Sequence, residues 1–146
     1  MTVHIGWDTK STTSVTDGYV WNSKGDLTGV NVTLAKSTGN TDNHMDSSSG
    51  YVHGSTLNND GAIRQAYVVA HEFAHVEYAE TLAGRISLRQ DEQTGQYLKD
   101  LYKQLGIRQY MRQPEAGDMQ RTLDQHSYER EKAADQRAWE VLGQSK

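Results

Sequence analysis

The sequence predicts an α+β fold, a small antiparallel N-terminal sheet packed on about three C-terminal helices. Two observations carry this. The first half is rich in Gly, Thr, Ser and Asn, with β-branched residues at alternating positions. The second half switches to apolar residues at helical spacing, punctuated by glycines. A third observation sets the organisation: at 146 residues, with no internal repeat and no linker-like stretch, residues 1–146 read as one domain with its own core.

The elements follow in order. "TVHIGW" alternates, with Val3, Ile5 and Trp7 on one face. "DGYVW" is a second strand, and "NSKGD" turns the chain into "LTGVNVTLA", where Val30, Val32 and Leu34 alternate again. Residues 37–50 form a polar loop, and "YVHGSTL" (residues 51–57) is a short fourth strand. Asp60 caps a helix that runs to Gly84. Leu98, Leu101, Tyr102 and Leu105 make a second helical stripe, closed by Gly106 as C-cap. "QPEAGD", residues 113–118, is a loop around the only proline, and the last helix spans Ser127 to Leu142. Trp7, Trp21 and Trp139 are expected in the core.

Composition narrows the function. A hydrophobic content of 35% and a mean hydropathy of -0.81 exclude a membrane protein. The net charge of -4 and the lack of any basic run argue against nucleic acid as a partner. With no cysteine, any metal must be held by His, Asp, Glu or backbone. The N-terminus, "MTVHIGWDTK", shows no signal peptide, and its strand-like start fits an excised domain as well as a complete protein. A cytoplasmic protein and one delivered by a specialised secretion system are both compatible with that.

The chemistry is concentrated in "VVAHEFAHVEYAE". His71, Glu72 and His75 form H-E-x-x-H, and two histidines four apart on a helix stand one turn above each other, within reach of one ion. Glu72, one position further round, can take a proton from a metal-activated water and pass it to a leaving amine. Burying two His and a Glu among Val68, Val69, Phe73 and Val76 without a partner would be unfavourable, and a metal is such a partner.

A hydrolytic zinc needs three protein ligands and an open position. The closely spaced third histidine of some zinc helices is excluded, because position 81 is Thr. His4, His44, His53, His126 and the carboxylates of the last helix remain. In that helix Tyr128, Glu131, Asp135, Ala138 and Leu142 share one face, so two carboxylates point inward. Glu131 is the expected third ligand, with His126 as its rival. Asp135 would accept the outer N–H of a ligating histidine and fix its tautomer. His126 and Tyr128, with Tyr110 and Arg130, are candidates to donate hydrogen bonds to the transition state. Glu129 and Glu140 fall on other faces and are expected to be solvated.

H-E-F-A-H followed by a helix carrying Glu131-Lys-Ala-Ala-Asp135 resembles the zinc metallopeptidases called gluzincins. The resemblance implies a minimal zincin-like domain with His71, His75 and Glu131 on Zn2+, Glu72 as general base and Asp135 supporting a ligand histidine. It covers two short helical motifs. Small domains of this kind are similar to ImmA/IrrE-type peptidases and to metallopeptidase toxin domains of bacterial secreted effectors. That likeness implies a protein or peptide substrate and, for a toxin, an immunity protein as partner. The 56 residues from His75 to Glu131 (131 − 75) leave room for a further helix or two. Substrate peptide is expected as an added strand on a sheet edge, with "SGYVHGST" (residues 49–56) as the candidate edge. Two other functions fit the same helix: a non-peptidase zinc hydrolase such as an amidase, and a degenerate peptidase fold acting as a binding module.

Overall fold

The computed structural model describes residues 1–8, 14–35 and 61–143. Three strands, β1 (Thr2–Asp8), β2 (Val15–Trp21) and β3 (Leu27–Ala35), precede three helices, α1 (Gly61–Glu80), α2 (Leu82–Met111) and α3 (Pro114–Val141). This is the expected α+β layout, with one correction. The sheet is mixed, in the order β1-β3-β2. β2 runs antiparallel to β3, but β1 runs parallel to it, pairing Val3 with Val30 and Trp7 with Leu34. Alternation along a strand reports which face is buried, not the direction of its neighbour, so the parallel pair was invisible to it.

The β2–β3 turn is built by Asn22, whose Oδ1 accepts the backbone N–H groups of Lys24 and Asp26 at 2.9 and 3.0 Å. Gly25 supplies the positive φ of +83° that this turn requires. β3 is the central strand and the most buried. Val30, Val32 and Leu34 face α1 and pack on Val76, with Val69 and Phe73 beside them. The other side of α1 meets α3, where Tyr67 and Val68 lie against Ala138, Trp139 and Leu142. α1 is therefore covered on two sides, which is how a helix comes to bury His71, Glu72 and His75 together.

α1 ends earlier than expected. Thr81 adopts an extended conformation, its N–H and hydroxyl both donate to the Tyr78 carbonyl, and its Oγ1 accepts the Gly84 N–H to cap α2. Gly84 thus lies inside α2 rather than ending α1. A Cβ there would meet the Tyr78 carbonyl oxygen, so the α1–α2 corner admits only glycine. α2 is interrupted at Gly106 (φ 78°, ψ 165°), where the sequence placed a C-cap. The expected loop at residues 113–118 is helical except for Gln113: Pro114 opens α3 at a position where its missing N–H costs nothing.

Of the three tryptophans expected in the core, Trp139 packs against it and Trp21 is half-buried, its indole N–H donating to Glu92. Trp7 is 59% exposed. The physical reason is position: among the described residues β1 is an edge strand, and α1 lies over β3 and β2. No described helix is long and apolar enough to cross a membrane. Residues 37–57, with the expected loop and fourth strand, lie outside the described residues, as do Asp60, His44 and His53.

Candidate metal centre

α1 presents His71 and His75 one turn apart, with ring centroids 5.0 Å from each other and nearly perpendicular planes. Both rings are directed at α3. His71 Nε2 lies 2.8 Å from Glu131 Oε2, and His75 Nε2 lies 3.2 Å from Glu131 Oε1, so one carboxylate spans both imidazoles. The ligand atoms of His71, Glu72 and His75 all lie within 4.8 Å of one another, close enough to hold a metal ion. Glu131 touches the same two nitrogens from the opposite helix. Two imidazole nitrogens and a carboxylate oxygen converging on one point are a donor set that suits a divalent ion such as zinc.

Glu72, beside the same imidazole pair, is also held from the sheet. It is 4% exposed, and the Thr16 hydroxyl from β2 donates to its Oε1 at 3.0 Å and to its backbone oxygen at 3.0 Å. Burial raises its proton affinity above the ordinary carboxylate range, against the opposing pull of His71, His75 and the Thr16 hydrogen bond. Glu131 behaves in the reverse way. Burial pushes its carboxyl up, but the hydrogen bonds and positive charge of His71 and His75 outweigh that and hold it well below the usual range.

A cavity of about 340 Å³ opens over this cluster, with Glu72, His75 and Glu131 on its floor and Thr16, Tyr19 and Arg130 in its walls. Burial pushes the Tyr19 phenol up to about 12, partly opposed by the charge of Arg130 and reinforced by Glu72 and Glu131, so it keeps its proton at neutral pH. Arg130 Nη1 is anchored to Asp91 Oδ2 at 2.8 Å.

The predicted residues divide cleanly. His71, Glu72, His75 and Glu131 are brought together. Asp135 is buried one turn along α3 from Glu131, on the same face as buried Ala138. His126 is not brought to the imidazole pair: its Nδ1 sits 3.0 Å from Asp91 Oδ1, on a separate wall between α2 and α3. Tyr128 is 45% exposed with Lys132 over its ring, and it does not line the cavity. Tyr110 packs edge-on against Tyr102, away from the site. His4 is exposed on β1, and Glu129 and Glu140 are exposed as expected.

Thr16 and Tyr19 were not legible as site residues. Strict alternation would put positions three apart on opposite faces, yet both face α1. The β2–β3 register shifts between Asp17 and Val20, and this irregularity re-aims Tyr19 into the cavity. No family model, curated protein or solved structure matches the chain.

Proposed function

We propose that the chain is a zinc-dependent endopeptidase. The observation that carries this reading is the meeting of His71 Nε2 and His75 Nε2 on one Glu131 carboxylate, with the buried Glu72 carboxylate alongside. His71, His75 and Glu131 would hold the ion. Zinc supplies Lewis acidity, polarising a peptide carbonyl and making water acidic enough to act as a nucleophile near neutral pH.

The chain's own residues do the rest. Glu72 Oε1 is fixed by Thr16, which leaves Oε2 to take the proton of the attacking water and pass it to the departing amine. The raised proton affinity of Glu72 suits a group that must carry that proton between two steps. Tyr19, protonated and in the cavity wall, donates a hydrogen bond to the oxygen that gains negative charge. Asp135 orients a ligand histidine from within the α1–α3 seam. Residues 49–56, the expected docking edge, lie outside the described residues. Among the described residues β2 is an edge strand; it borders the cavity through Val15 and Thr16 and offers backbone groups to an extended peptide. A role as an effector toxin domain with an immunity protein as partner is supported by the sequence resemblance.

The test is Glu72→Gln, with metal content and cleavage of a peptide library measured together. The expected outcome is retained zinc and hydrolysis lowered by about 10²–10⁴-fold. Unchanged hydrolysis with zinc still bound would overturn the mechanism.

A further inference from the structure

The geometry points to Arg130 as the residue that recognises a carboxylate of the substrate, next to the bond that is cut. This rests on the peptidase reading and names the substrate class for it: peptides that present an anionic oxygen pair beside the reacting carbonyl.

Four observations carry it. Arg130 lines the cavity that holds Glu72, His75 and Glu131, with its side chain 19% exposed. Two carboxylates share that cavity, yet among the described residues the one ion-pair partner of Arg130 is Asp91, outside the cavity wall on α2. Asp91 is 14% exposed and also contacts His126 Nδ1 at 3.0 Å, so the guanidinium is braced from behind. The charge of Arg130 is felt across the cleft by Tyr19 on β2, and the same side chain borders two adjoining cavities of about 230 Å³ each.

A tether between α2 and α3 needs neither that junction nor that reach. A guanidinium has five N–H donors in a planar fork, and Asp91 engages one nitrogen of Arg130. The donors that no described residue engages match a carboxylate held in two-point contact, which a lysine would bind only as a point charge. The carboxylate has two sources, a peptide's free C-terminus or an Asp or Glu side chain. Asp91 is the positioning residue that keeps the fork from collapsing onto Glu72 or Glu131.

Calorimetry on zinc-loaded Glu72→Gln protein, in which turnover is strongly slowed, tests this with three probes. These are tetra-alanine with a free C-terminus, its amide, and an acetylated, amidated tetrapeptide with one internal glutamate. At least one acidic probe is expected to bind about tenfold or more tighter than the neutral amide, the scale of a hydrogen bond to a charged group. Whichever acidic probe wins identifies the source. Arg130→Gln, added to that protein, should erase the preference while leaving the amide's affinity in place, which also shows that the fold is intact. Arg130→Lys should keep part of the preference, and Asp91→Asn should reduce it. Equal binding of all three probes, no binding of any, or a preference that survives Arg130→Gln overturns the inference. The two failures separate: library cleavage without carboxylate preference rejects Arg130 alone, whereas probe preference without any cleavage by the wild type rejects the peptidase reading and keeps the recognition site.

Discussion

Replacing Thr16 with Val removes one hydroxyl and little else. The two side chains have the same branched shape, and both suit a strand, so packing against α1 is retained. The lost group is the donor to Glu72 Oε1 at 3.0 Å. Glu72 is 4% exposed, so little water is available to replace that donor. A hydrogen bond to a charged acceptor contributes about 1.5–3 kcal/mol, and urea unfolding of chelator-treated protein should show a loss of that order. The loss should be largest where Glu72 is ionised and smaller in acid. The same bond favours the ionised form against the larger effect of burial, so its removal raises the proton affinity of Glu72 further. Glu72 must be ionised to accept a proton, and the acidic limb of the pH–rate profile should therefore move to higher pH. A Thr16→Val protein within about 0.5 kcal/mol of wild type where Glu72 is ionised, with an unmoved limb, would refute the reasoning.

Glu131→Gln should weaken zinc binding by more than about 100-fold, the upper scale for losing a merely supporting residue; titration against a chromophoric chelator measures it, and unchanged affinity removes Glu131 from the ligand set. In chelated protein the same carboxyl should govern acid stability. Its folded pKa is depressed, so its contribution is present above the unfolded value of about 4.3 and is lost as the pH falls below it. Urea midpoints of wild type should fall through that window, and those of Glu131→Gln should lack this component. Gly84→Ala should destabilise by more than about 3 kcal/mol, because the new Cβ meets the Tyr78 backbone oxygen and the Thr81 cap together; a midpoint matching wild type would show that the α1–α2 corner can relax.

What was legible followed from periodicity and spacing. "LTGVNVTLA" read as a strand and is β3 residue for residue. H-E-x-x-H at helical spacing placed His71 and His75 on one face, and it was this helix that turned Glu131 and Asp135, on the inward stripe of the last helix, from ordinary surface charges into expected site residues. What escaped depends on contacts between distant elements. The direction of β1 is set by its partner, not by its own residues. Residues 114–118 form the first turn of α3, with Pro114 at its start and Ala116 buried, which a reading of "QPEAGD" as turn formers overlooks. His126 looked like a ligand because it lies just before the Glu131 turn. Asp91, thirty-five residues earlier, claims its ring instead. Tyr19 needed a bulge that no alternation pattern announces.

The two imidazoles and Glu131 belong to helices that meet along a narrow seam, where Tyr67 and Val68 lie against Ala138. Ala138 lets the helices approach closely, and Tyr67, Val68, Trp139 and Leu142 fill the seam around it. α3 is tied to the rest of the molecule mainly there and along α2. An ion gripping residues on both sides would act as a rivet, and the chain between His75 and Glu131, 56 positions apart, would become a closed loop. Chelation should then free the α2–α3 hairpin to swing out before the sheet and α1 melt. Protease nicking within that hairpin, rather than loss of the sheet, becomes the first visible sign that the metal has gone.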